Sequence, residues 1–243
     1  MFNFYYYGDS VPSSFWLDFV KITLPIIIGF LITLFMFYRN NERDRILRHD
    51  RLRFDSANLL DKTIRLSGIM ESNHLRYLFY IYSVRLYNSV KKELQNEDII
   101  KRFMEQSEIY LEKSNDSSSD LFMMKSEVMK HLAELSSFNY FNKDDVKLLR
   151  KCSILINDSK GLNWDIVAED YKKAESTDRI KTIYEASEGI ISERILKDGL
   201  GNYCKLVQKI ISPEFYEQIT KEELQWLDKK WQERNKDNST PSN

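Results

Sequence analysis

Hydrophobic and polar positions along this chain change character at residue 38. From Ile22 to Tyr38 the seventeen residues ITLPIIIGFLITLFMFY carry no charge, and a helix of that length rises about 25 Å. This falls slightly short of a ~30 Å hydrocarbon layer, so the predicted transmembrane helix takes in Phe19 and Val20 and covers residues 19–38, with Lys21 reaching outward along its own stem. Beyond Tyr38 no proline or glycine occurs before Gly68, and Ile46, Leu47, Phe54, Ala57, Leu60, Ile64 and Leu66 recur mostly at intervals of three and four. That spacing predicts a basic helical stalk over residues 39–70, continuous with the span.

The remainder, residues 71–234, reads as an all-α body. After a break at Glu71–Asn73, Leu75, Leu78, Phe79, Tyr82, Leu86, Val90 and Leu94 form one apolar stripe. Asn96 or Asp98 caps the next helix, the polar run SNDSSSD (Ser114–Asp120) predicts a loop, and Leu121, Val128, Leu132 and Leu135 continue beyond it. Asn142 opens a helix that ends near Gly161; its CSILI run (Cys152–Ile156) is taken as helix because the sequence offers no partner strand. Asn163 opens a short helix, Thr177 or Asp178 a longer one, and DGLG (Asp198–Gly201) marks a stop. Ser212 with Pro213 predicts another start, and Thr220 with Glu223 has capping-box spacing before Leu224, Leu227 and Trp231. The pattern gives about eight helices after the span, then a polar tail over residues 235–243. The predicted fold class is all-α, a single N-terminal transmembrane helix continuing into a cytoplasmic multi-helix bundle.

Charge orients this arrangement. Residues 1–21 hold one lysine and no arginine, whereas Arg39, Arg43, Arg45, Arg48, Arg51 and Arg53 follow the span against Glu42, Asp44 and Asp50, a net +3 over residues 39–53. The positive-inside rule then places the N-terminus outside and the body in the cytoplasm, at the cell (inner) membrane. Residues 1–18 become a short extracytoplasmic aromatic tail. A cleaved signal peptide is disfavoured, since the basic leader and the small-residue cleavage site are both missing. Membrane lipids are the expected contact of Trp16, Phe19 and Lys21 on the outer side and of Tyr38, Arg39, Arg43, Arg45 and Arg48 on the inner. Pro25, Gly29 and Thr33 recur every fourth residue and share a face on which a second helix can approach closely, which is the sequence basis for a homo-oligomer through the span.

Composition narrows the chemistry. Residues 39–243 balance 35 basic against 35 acidic side chains, so nucleic acid is not an expected partner. Cys152 and Cys204 stand far apart without CxxC spacing and read as buried thiols. His49, His74 and His131 are the only histidines; none stands at metal-ligand spacing, HExxH and phosphate-binding glycine loops are missing, and no metal or cofactor is expected. His49 and Asp50 spell an HD dipeptide without the earlier histidine that metal-dependent HD chemistry requires. Arg43, Asp44 and His49 satisfy an Arg-x5-His spacing that resembles the motif of HEPN ribonucleases, and the resemblance covers seven residues. It implies a basic pair engaging phosphate and aiding proton transfer at a 2′-hydroxyl. Trp226 and Trp231, five residues apart, do not share one stripe, so one is expected to be an interface anchor.

The expected function is therefore non-enzymatic: a signal-anchored protein whose cytoplasmic domain recognises or regulates a protein partner at the inner face of the membrane. A second reading is a membrane effector of bacterial defence (phage defence) or toxin-like kind that oligomerises through its span and perturbs the bilayer. A third is a helical HEPN-like nuclease.

Overall fold

The computed structural model describes residues 13–89, 96–138, 140–159, 161–193 and 199–239, without the side chains of 13–18, 192 and 237–239. The tail over residues 1–12, Val90, Leu94, Ile195, Asp198 and the side chain of Trp16 thus lie outside the described residues. Among the described residues there are seven helices and no strand: α1 (Ser13–Ser89), α2 (Glu97–Ser136), α3 (Lys143–Asp158), α4 (Trp164–Lys172), α5 (Thr177–Glu193), α6 (Leu200–Ile211) and α7 (Lys221–Ser239). The chain divides into two compact units, Met1–Asp50 and Arg51–Asn243.

The first unit is the N-terminal part of α1. It is long and apolar enough to cross a membrane, with none of its most apolar window buried by protein. Pro25 stands well inside α1, which begins at Ser13. It removes one rung of the backbone ladder there. Thr23 and Thr33 turn their hydroxyls back onto the carbonyls of Phe19 and Gly29, at 2.6 and 2.8 Å, which satisfies both hydroxyls within the helix.

In the second unit two expected breaks are helical. α1 passes through Glu71–Asn73 without interruption. Its buried stripe, Ser56, Leu60, Thr63, Ser67, Glu71, Leu75 and Leu78, keeps its three- and four-residue spacing across that point. The polar members do not break the helix because Ser56 and Thr63 donate to the carbonyls of Leu52 and Leu59, so burial of the stripe outweighs the weak helix preference of serine and asparagine. α2 likewise continues through Ser114–Asp120. Ser114 and Ser117 are buried, and Ser117 donates to the carbonyl of Lys113 at 2.7 Å. Among the described residues six helices follow α1, fewer than expected, because these polar runs are helical.

Two more boundaries move. Ser212 closes α6 rather than opening a helix, and Pro213–Phe215 form a turn. The start falls at Thr220 instead, where the capping box is complete: Glu223 N–H donates to Thr220 Oγ1 at 3.2 Å and Thr220 N–H donates to Glu223 Oε2 at 2.9 Å. α7 then runs on to Ser239, so the first part of the polar tail is helical. Asn96, Asn142 and Asn163 cap α2, α3 and α4 as expected. Ser176, one residue before the expected site, accepts from Arg179 N–H at the start of α5.

Two apolar cores hold this unit. The larger joins Leu60 of α1 to Val128, Leu132 and Leu135 of α2, Leu149, Cys152 and Ile156 of α3, Cys204, Val207 and Ile211 of α6 and Leu227 of α7. At roughly 1.5–3 kcal/mol for each large apolar side chain removed from water, these contacts dominate the stability of the unit. The smaller packs Leu75 and Leu78 of α1 against Tyr171 of α4 and Ile180, Ile183 and Ile191 of α5. The first half of α2 lies along α1 through aromatic contacts, with Tyr110 stacked on Tyr80 at 5.7 Å and Phe103 against Tyr80 and Tyr87.

Candidate functional site

In the first unit the expected interface residues whose side chains are described, Phe19, Lys21, Tyr38, Arg39, Arg43, Arg45 and Arg48, are all exposed. Gly29 has nothing within 4 Å of where a Cβ would stand, and Thr33 is held one turn away by its bond to the Gly29 carbonyl. Pro25, Gly29 and Thr33 thus form an open stripe with no polar projection. His49 is buried, with Nδ1 3.5 Å from the Asp50 carboxylate. Arg43 is exposed, and residues six apart on a helix stand about 120° apart around the axis, so α1 does not turn the pair to one face.

In the second unit a polar cavity of about 250 Å³ lies between α1, α2, the end of α3 and the start of α6. Two charged side chains that sequence reasoning passed over reach it. Glu71 is 3% exposed and Lys125 9%. Lys125 Nζ donates to the Ser159 carbonyl at 2.8 Å, and burial pulls its pKa below the ordinary lysine value, partly offset by the nearby Asp158 and Glu71 carboxylates. Glu71 Oε1 accepts from Leu162 N–H at 3.2 Å. A Cβ at Gly161 would come within 2.7 Å of that same oxygen, so a side chain there would have to shift the Glu71 carboxylate. The signal was present in the sequence: Lys125 stands on the Leu121–Val128–Leu132 stripe, where only apolar residues are expected, and Glu71 stands on the stripe of α1.

The two charges hold backbone rather than an open ligand position. Lys125 fastens the end of α3 and Glu71 the residues leading into α4, and a volume of 250 Å³ lies below the ~300–1,000 Å³ of ordinary small-molecule sites. The cavity therefore works as a polar latch between the segments that carry the two cores.

The remaining chemistry-bearing residues are structural. His74 lies against Trp164, with the rings tilted and their centroids 4.5 Å apart, and is 3.4 Å from Ser114 Oγ; burial lowers its pKa. Cys152 and Cys204 are fully buried free thiols. Burial pushes Cys152 up to about 12 and Cys204 higher still, the opposite of an activated nucleophile. No group of three or more His, Cys, Asp or Glu able to hold a metal occurs among the described residues. Arg76 and Arg85 of α1 are exposed, and Arg76 sits over the Tyr110 ring at 5.4 Å. Trp226 and Trp231 are both half-buried against the larger core, one residue before and four after the buried Leu227. Arg234 covers Trp231 at 5.4 Å.

Comparison with protein-family models, curated proteins and solved structures found no match to this chain.

Proposed function

We propose that this chain is a single-pass, membrane-anchored helical protein whose body, held at the cytoplasmic face of the cell membrane, recognises or regulates a protein partner. The observation that carries the reading is the uncovered apolar stretch of α1, which no part of the described chain buries and which meets six arginines within fifteen residues of its end. Hydrocarbon is the solvent that such a surface fits, and the arginines set its inner boundary. The recognition half rests on the body: its buried charges are tied to its own backbone, which leaves the outer helix faces for binding.

Membrane fractionation tests the anchor. Wild-type chain should resist alkaline extraction, and Leu31→Arg should weaken insertion by about 2.5–3.5 kcal/mol and release a soluble fraction. Full release of the wild type overturns the anchor. Purification from detergent tests recognition: a stoichiometric partner is expected, whereas a chain that purifies alone and turns over a substrate rules recognition out. The open Pro25–Gly29–Thr33 stripe favours a second reading, a bilayer-perturbing effector assembled through its spans. Membrane potential that stays intact after crosslinking-proven assembly excludes it.

A further inference from the structure

On the outer side of α1 and α2, a groove of about 420 Å³ has its charge sorted by wall. The α1 wall carries Lys62 and Arg65, and the α2 wall carries Asp120 and Glu127. All four side chains are exposed, and among the described residues no ion pair crosses the groove. Between the walls the surface is apolar, with Ile69 45% and Met123 64% exposed. An apolar strip between two unneutralised walls of opposite sign is a surface shaped for a partner with the same pattern in mirror order.

The groove itself supplies that pattern. A two-fold rotation about a line along the groove exchanges its walls while keeping each residue at its own level, so the basic wall of one copy meets the acidic wall of the other. A uniformly acidic or basic partner would instead meet repulsion from one wall. We infer that the α1–α2 groove is an isologous contact between two copies of this chain, with Lys62 and Arg65 of each facing Asp120 and Glu127 of the other and Ile69 and Met123 closing the centre. Methionine suits that centre because its unbranched side chain adapts to a facing surface. This contact is distinct from any association through the span, and it does not depend on the membrane reading.

A charge exchange tests it on the full chain in detergent, with mass read by light scattering and sedimentation. Wild type should be dimeric. Lys62→Glu with Arg65→Glu makes both walls acidic, Asp120→Lys with Glu127→Lys makes both basic, and each variant alone should dissociate with a Kd raised at least about tenfold. Mixed in equal amounts, the two variants should form a heterodimer, because each acidic wall then faces a basic one. A folding defect cannot produce that rescue. Met123→Asp, at an exposed position, should also give monomer while keeping the wild-type helical content. A monomeric wild type, with or without some other protein bound, overturns the inference. So does a dimer that survives both reversals, as one held through the span would, or a mixture that stays monomeric.

Discussion

At Gly161 the backbone runs close against a buried charge, the Glu71 carboxylate. A methyl group there would push the Glu71 carboxylate away from the Leu162 amide and leave that backbone donor without its acceptor. Gly161→Ala should therefore cost about 1–3 kcal/mol by urea unfolding. If the loss is equal in a Glu71→Gln background, the clash is not with the carboxylate. The thiols give a second handle. Cys152 titrates near 12 in the fold against an ordinary 9.0, so the folded state keeps a proton that the unfolded chain gives up. The resulting stability is fully present below pH 9.0 and lost as pH rises toward 12. Melting temperature should fall more steeply over that alkaline range in wild type than in Cys152→Ala, and neither thiol should react with a disulfide reagent until the protein is unfolded. Burial of both cysteines was legible in the sequence from their spacing and helical context. The charged latch was not, because periodicity assigns a stripe to the interior without saying which backbone groups there need a lysine or a glutamate.

At the scale of the helix, caps were read well and interruptions poorly. Asn96, Asn142, Asn163 and Thr220 all accept from first-turn amides, since capping is a local bond that short sequence spacing specifies. Thr220→Ala should cost about 1 kcal/mol of stability, measured by thermal or urea unfolding, and Thr220→Ser much less. The polar runs at Glu71–Asn73 and Ser114–Asp120 look like loops by composition. They remain helical because each lies on a buried stripe: Glu71 continues that of α1, and in α2 Ser114 and Ser117 are buried, with the Ser117 hydroxyl donating to the Lys113 carbonyl. Ser117→Leu should overpack that buried position and destabilise by about 1–3 kcal/mol, whereas Ser119→Leu, on the exposed side of α2, should be nearly neutral. Ser212–Pro213 misleads for a different reason: proline is common just after a helix as well as in its first turn, and here it follows the end of α6.

For the whole molecule, the all-α class and the apolar N-terminal segment follow from features that repeat over many residues, which is why both were visible in the sequence. How the body distributes its packing was not, since nothing local separates the stripe around Leu60 from the one around Leu75. The structure divides them between a core shared by α1, α2, α3, α6 and α7 and a smaller one that holds α4 and α5. Fewer buried side chains secure the smaller core, so it should open while the larger stays closed. Amide hydrogen exchange should then resolve two tiers: amides of Ile180–Ile191 exchanging early and together, and those of α3 and α6 exchanging only with global unfolding. Leu78→Ala should bring the early tier forward and leave the late tier largely in place, giving the body a segment that can be released and re-docked while the rest remains folded.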